Sequence, residues 1–241
     1  MKKTDPAARL GGSVKGFLPI TMLDWEGKVA TVLFIGGCNF RCSFCHNPEL
    51  VLDQESLAPV LFSDIKSYIL NKKGWIDGVV VTGGEPTTSP ELMDILKEIK
   101  ALEMPVKLDT NGSNPAILEE VLSAGLADFV AVDIKTVFER YPEVTRTNID
   151  ASAIIESINL IMRFRTEHEF RTTAYPPAVS PDDLVEIARY LGEHGGKRYF
   201  IQQFKPDRVL STVAAEVVPY KLHILEEAAQ MCDKYIPTKV R

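Results

Sequence analysis

Six short apolar runs recur along this chain of 241 residues, and the stretches between them carry helical spacing. Few folds absorb that alternation. The runs are "ATVLFIGG" (30–37), "GVVVTGG" (78–84), "VKLDTNG" (106–112), "FVAVDIK" (129–135), "FRTTAYPP" (170–177) and "RYFIQQF" (198–204). Near-continuous hydrophobic and β-branched composition predicts strands covered on both faces, as in a parallel sheet. Between the first two runs, residues 62–74 place Ile65, Ile69 and Leu70 on one predicted helix face, with Ser63 as cap and Gly74 as stop. Residues 89–102 open on Ser89 and Pro90 and space Leu92, Ile95, Leu96 and Ile99 helically. Residues 114–125, 150–164 and 180–195 repeat the device, and a last helix is expected over residues 220–234.

Alternating strands and helices belong to a β/α barrel or an open doubly wound sheet. A complete eight-stranded barrel takes about 250 residues. Here the first thirty are spent on "FLPITML", the turn "DWEGK" and the entry to the first run. The expected class is therefore α/β, a partial (β/α)6 barrel with an N-terminal hairpin extension. Residues 1–29 form the extension, 30–204 the six β/α units and 205–241 a C-terminal helix and tail. With no internal repeat, low-complexity tract or long linker, residues 1–241 read as a single domain.

A net charge of −6 argues against a nucleic-acid partner, and no run of eighteen apolar residues is present to span a membrane. The start, "MKKTDPAARLGGSVKG", is basic but lacks the apolar core of a signal peptide. A cytoplasmic, reducing location is expected, where cysteines serve more often as ligands or catalysts than as bridges.

Three of the four cysteines stand in "GGCNFRCSFCHN" (36–47), as Cys38, Cys42 and Cys45. Three thiols are odd for disulfides and one short of a closed zinc site. His46 could complete a zinc set, but adjacent residues such as Cys45 and His46 rarely reach one tetrahedral ion together. Thiolates closely spaced on a loop suit an iron–sulfur cube, where three ligands hold three irons and leave the fourth open to a cofactor or substrate. Cys232, far off in the last helix, reads as core; as a fourth ligand it would make the chain a simple electron carrier.

Further polar motifs follow the strands. In "TGGEP" (82–86), Gly83 and Gly84 allow close approach of backbone to a ligand, and Glu85 can accept from an ammonium; a glycine turn ending a strand is the plainer reading. In "LDTNG" (108–112), Asp109 is a carboxylate on a largely apolar strand, costly without a partner. Asp133 and Lys135 share one face at i and i+2, and a structural ion pair would explain both aspartates. All of these fall at strand C-terminal ends, where β/α folds build their sites.

With Phe44 in the aromatic position of C-x3-C-x-aromatic-C, the chain resembles the radical S-adenosylmethionine superfamily, and the later motifs match in order. The resemblance implies one 4Fe–4S cluster held by Cys38, Cys42 and Cys45, with S-adenosylmethionine on the open iron. It also implies reductive cleavage of that cofactor to a 5′-deoxyadenosyl radical, which abstracts a hydrogen atom. In the family the glycine motif binds the methionyl amino group, which casts Gly83, Gly84 and Glu85 in that role. The activating enzymes of glycyl radical enzymes carry similar D-T-N-G and D-x-K segments. That likeness implies Asp109, Thr110, Asn111 and Asp133 beside the cofactor, a monovalent cation between the two aspartates, and Lys135 near the cofactor carboxylate. "FRTTAYPP" is similar to the group's R-x-P-x-x-P-G strand and implies Arg171 at the site, although Thr173 and Pro177 depart from it. Pyruvate formate-lyase activators have a sixth-strand histidine; here "FIQQFKPDRV" has none, leaving Gln202, Gln203 or Lys205 in its place.

His46 and Asn47, directly after the third cysteine, resemble glycyl radical activators, most closely those of anaerobic ribonucleoside-triphosphate reductase. Phe44, Cys45 and His46 are then expected at the cofactor. The implied partners are a glycyl radical enzyme as protein substrate and a low-potential electron donor such as flavodoxin or ferredoxin. The competing reading is a small-molecule enzyme resembling 7-carboxy-7-deazaguanine synthase, which shares the cysteine loop and "TGGEP" but needs no protein partner.

Overall fold

The computed structural model describes Leu10 and residues 12–241; Lys2 and Lys3 of the basic start lie outside the described residues. A hairpin comes first. Strand β1 (Val14–Thr21) runs antiparallel to β2 (Ala30–Ile35) across the expected turn, with Phe17 opposite Leu33 and Leu18 opposite Val32. After α1 (Pro48–Leu52) and α2 (Phe62–Lys72) come β3 (Gly78–Gly83), α3 (Leu92–Ala101), β4 (Val106–Thr110), α4 (Pro115–Ser123) and β5 (Phe129–Asp133). Then follow α5 (Tyr141–Thr145), α6 (Ser152–Phe164), β6 (Glu167–Ala174), α7 (Pro181–Glu193), β7 (Tyr199–Gln203), α8 (Thr212–Ala215), α9 (Leu222–Cys232) and β8 (Thr238–Val240).

Among the described residues the eight strands form one sheet in chain order, β1 to β8. The β2–β3, β3–β4, β6–β7 and β7–β8 pairs are parallel, as strands joined by helical crossovers must be. The six apolar runs are the six strands β2 to β7. The hairpin extension and the βα order agree with the expected class.

The chain divides into two compact units. The first runs through Asn39 and adds Glu49–Thr110 and Glu120–Phe129. Its core joins Trp25, Ala30, Val32, Val80 and Phe129, with the Trp25 and Phe129 rings 5.8 Å apart. The second unit comprises Phe40–Pro48, Asn111–Glu119 and Val130–Arg241.

Local chemistry explains most boundaries. Helix α7 begins where Ser180 accepts from the Asp183 N–H and the Asp183 carboxylate accepts from the Ser180 N–H, a reciprocal cap that stabilises by about 1 kcal/mol. Two expectations for α2 fail. Leu61, not Ser63, occupies the cap position, because the chain already turns helical at the buried Phe62. Leu70 lies exposed, since the buried stripe runs Phe62, Ile65, Ile69 and one residue further on rotates a side chain by about 100°.

Strand β6 starts three residues earlier than its apolar run, at Glu167. The polar Glu167–His168–Glu169 segment extends because its buried members have partners. His168 is 2% exposed; Nδ1 faces the Thr166 carbonyl at 2.7 Å and Nε2 accepts from the Lys197 N–H at 3.2 Å. Those partners demand the neutral imidazole with its proton on Nδ1. Burial lowers its pKa below 6.5, with the Thr166 carbonyl and Glu167 pulling the other way and Lys197 and Arg198 adding to burial. As pH falls through 6.5 the unfolded chain takes up a proton that the fold resists, so stability should decline there. The urea midpoint is expected to drop between pH 7.5 and pH 5.5, and to drop less in His168→Gln; parallel profiles for the two proteins would refute this.

Candidate functional site

In the first unit, backbone hydrogen bonds fasten the start of the cysteine loop. Gly36 N–H donates to Ser13 O and Gly37 N–H to Leu50 O, each at 2.8 Å. The motif after β3 lies directly on it: Gly84 N–H donates to Ile35 O at 2.9 Å and Glu85 N–H to Gly37 O at 2.8 Å. The two glycines are thereby explained. A Cβ on Gly84 would sit 1.9 Å from Gly37 O, and one on Gly83, whose φ is +128°, would sit 2.3 Å from Ile35 O. The close approach read from the sequence is made to the protein's own backbone, next to the half-buried Cys38.

Glu85 is fully buried, and its Oε1 accepts from Thr87 N–H at 3.0 Å, Thr87 Oγ1 at 2.6 Å and Thr110 Oγ1 at 2.7 Å. The carboxylate caps the turn Pro86–Thr88 and ties it to the end of β4. On the same strand Lys107 Nζ lies 3.6 Å from Asp109 Oδ1, donates to Asp24 O at 2.5 Å and stands 5.5 Å from the Phe129 ring centre. Two buried charges two residues apart on one strand face thus neutralise each other.

In the second unit, the rest of the cysteine loop is held from two sides. Arg41 N–H donates to Thr145 O at 2.8 Å, at the end of α5. From the other side Leu210 N–H donates to Cys45 O at 3.1 Å and Ser211 N–H to Ser43 O at 3.0 Å. Aromatic rings fill the space between. Phe44 stacks on Tyr175 at 5.0 Å, Tyr175 meets Phe204 edge-on at 4.8 Å, and His46 stacks on Phe204 at 6.0 Å. His46 Nε2 is 3.0 Å from Lys205 O and donates to that carbonyl.

Tyr141, fully buried, approaches Phe40 at 6.5 Å and accepts the Lys135 N–H on its hydroxyl at 3.1 Å. Burial pushes the Cys42 thiol up to about 11, against the opposing pull of Lys135. After β4, Asn111 Oδ1 accepts from Ser113 N–H at 2.9 Å and Gly112 O from Ser157 Oγ at 2.7 Å, which shapes the turn. Asp133 takes Arg171 Nε on Oδ1 at 2.8 Å and Lys135 Nζ on Oδ2 at 3.3 Å. Burial alone would raise the Asp133 carboxyl, but the Arg171 guanidinium and the Lys135 ammonium outweigh it and hold it down at about 2.

The motif residues thus fall into two sets. Gly83, Gly84, Glu85, Asp109 and Thr110 share the first unit with Cys38; Phe44, His46, Asn111, Asp133, Lys135 and Arg171 share the second with Cys42 and Cys45. Sequence reading missed Tyr141, Thr145, Tyr175, Phe204 and the 205–211 segment as supports of the loop. Phe204 followed by Pro206 at a strand end was the available signal. Among the described residues, no three His, Cys, Asp or Glu side chains gather as a single-ion site. The three loop cysteines form no disulfide among the described residues, and they make a soft donor set suited to iron–sulfur ligation once deprotonated. Cys232 is fully buried on α9, and burial pushes its thiol up to about 12, in the same direction as that of Cys42.

A family model described as the Radical SAM superfamily matches residues 32–191. A candidate glycyl-radical enzyme activating enzyme of Methanocaldococcus jannaschii is 30% identical over 234 residues, covering 94% of each chain. The pyruvate formate-lyase-activating enzyme of Clostridium pasteurianum is 33% identical over 131 residues, 52% of this chain and 53% of that one. Among solved structures, Streptococcus suis SuiB bound to S-adenosylmethionine superposes with a TM-score of 0.67 at 15% identity. The match covers 85% of this chain and 48% of SuiB and speaks to fold alone.

Proposed function

Because the chain belongs to the radical SAM superfamily, we propose that it activates a glycyl radical enzyme, with anaerobic ribonucleoside-triphosphate reductase as the expected partner. It is an enzyme of this superfamily, and its cofactors are a 4Fe–4S cluster and S-adenosylmethionine. When bound, these supply a carbon-centred radical strong enough to take a hydrogen atom from a backbone glycine. The observation that carries the activase reading is the similarity across 94% of both chains to the Methanocaldococcus protein. The reductase as partner rests on the "HN" that follows the third cysteine.

In this reading Cys38, Cys42 and Cys45 ligate three irons, and the chain's own residues orient the cofactor. Lys135 and Arg171 offer positive charge to an anionic group, and Asp133, kept ionised by both, offers a carboxylate to a cationic one. Glu85 and Thr110 hold the turn after β3 in place. Phe44 and His46, packed on Tyr175 and Phe204, keep the loop from shifting and screen it from water. A low-potential flavodoxin or ferredoxin supplies the electron. No helix among the described residues is long and apolar enough to cross a membrane.

The test is electron paramagnetic resonance on anaerobically reconstituted protein, reduced and mixed with S-adenosylmethionine and the glycyl radical enzymes of the same organism. A glycyl radical signal is expected on one of them, with 5′-deoxyadenosine formed alongside. Cofactor cleavage with no such signal on any partner would point instead to a small-molecule substrate. No cleavage at all would sink both enzyme readings.

A further inference from the structure

Five charged side chains of the second unit alternate in sign along one path. Lys135 Nζ lies 3.3 Å from Asp133 Oδ2, and Asp133 Oδ1 lies 2.8 Å from Arg171 Nε. Arg171 Nη1 is 3.9 Å from Glu169 Oε1, which is 3.5 Å from Arg241 Nη1. Glu169 and Arg171 sit two apart on β6 and so share a face. Arg241 follows β8 and is fixed by its backbone on both sides: its N–H donates to Ile201 O at 2.9 Å, and its main-chain oxygen accepts Gln203 N–H at 2.8 Å. Its guanidinium carbon lies 3.3 Å from the centre of the Phe200 ring, a stacking that sets the plane of the fork.

The side chain of Glu169 is 2% exposed. A carboxylate so deeply buried pulls hard on any cation within reach, because little water screens it. Arg171 is within reach, so Asp133 at Nε and Glu169 at Nη1 compete for one guanidinium. The Arg241 charge, 3.5 Å from the same Glu169 oxygen, offsets that pull. We propose that Arg241 is a positioning residue: by neutralising Glu169 it leaves the Arg171 guanidinium on Asp133, and so sets the affinity for the adenosylated cofactor. The inference rests on the reading that Asp133, Lys135 and Arg171 face that cofactor.

The experiment measures S-adenosylmethionine binding by equilibrium dialysis to reconstituted, unreduced holoprotein, with iron content and the urea midpoint recorded for each variant. Arg241→Gln should weaken binding roughly 10-fold, the scale on which an outer partner acts, at unchanged iron content. Asp133→Asn should weaken it as well. The double variant Glu169→Gln, Arg241→Gln removes both the pull and its counterweight. It should bind within about 2-fold of wild type, the margin within which energies add. A double variant as weak as Arg241→Gln would mean that Arg241 acts only through its packing on Phe200, and the proposal falls. That comparison of double variant with wild type stands even if Arg241→Gln does not fold. Full affinity in Arg241→Gln alongside weak binding in Asp133→Asn overturns the positioning role and spares the site assignment. Full affinity in Asp133→Asn overturns the site assignment, and the positioning role with it.

Discussion

Alanine at Cys42 is expected to abolish the chemistry while leaving the fold standing. Release of 5′-deoxyadenosine should fall by more than about 100-fold, beyond the loss that removing an outer partner causes. Iron per chain should fall with it. The fold should persist because Cys42 is a small buried residue whose loop is held by backbone bonds from Thr145, Leu210 and Ser211, none of which involves its thiol. Cys232→Ala makes the contrast. It removes a fully buried thiol from α9 and should cost about 1 kcal/mol of stability with cofactor cleavage intact. The measurements are iron analysis, product chromatography and urea denaturation. Cleavage surviving in Cys42→Ala, or lost in a folded Cys232→Ala, would show that the wrong three cysteines have been assigned.

Gly84→Ala is expected to be worse for the fold than almost any other single methyl. The added Cβ would lie 1.9 Å from Gly37 O and 2.6 Å from Gly37 C, so backbone meets backbone and no side chain can swing aside. Relief means breaking the bonds from Gly84 N–H to Ile35 O and from Glu85 N–H to Gly37 O, which fasten the cysteine loop. A loss exceeding about 4 kcal/mol, or failure to fold, is expected. Gly125→Ala separates this from simple backbone strain. Gly125, unlike Gly84, has positive φ, +63°, and nothing lies within 4 Å of its Cβ position. Its cost should stay near 1–2 kcal/mol, that of a left-handed non-glycine residue. Equal urea midpoints for the two variants would mean that the β2 and β3 turns do not touch as described.

What could be read from residue order follows from range. Strands β2 to β7 were legible because each is five to eight residues long and centred on apolar or β-branched side chains, a pattern that neighbours in the chain carry by themselves. The α7 start was legible because Ser180 and Asp183 cap each other within one turn. The first turn of β6 was not. Glu167, His168 and Glu169 look like loop, and they extend only because Thr166, Lys197, Arg171 and Arg241 satisfy the two that are buried. Strand β8 was missed because "TKV" is too short to carry a period; its pairing with Tyr199, Phe200 and Ile201 defines it.

The candidate site divides in the same way. The spacing of Cys38, Cys42 and Cys45 and the order of the polar motifs are covalent facts, so the residues alone determined the chemistry expected of the loop and the sheet that carries it. That Glu85 reaches Thr110, Lys107 reaches Asp24, His46 reaches Lys205 and Arg241 reaches Glu169 was decided by the tertiary structure. Those contacts join residues tens of positions apart, and nothing local in the chain specifies them. Glu85, read as a ligand for an ammonium, also accepts from Thr87 and Thr110, while Arg241, unremarked in the sequence, stands against Glu169 inside the fold. A buried charge takes its partner from whatever the packing brings within reach, and packing is a property of the folded chain.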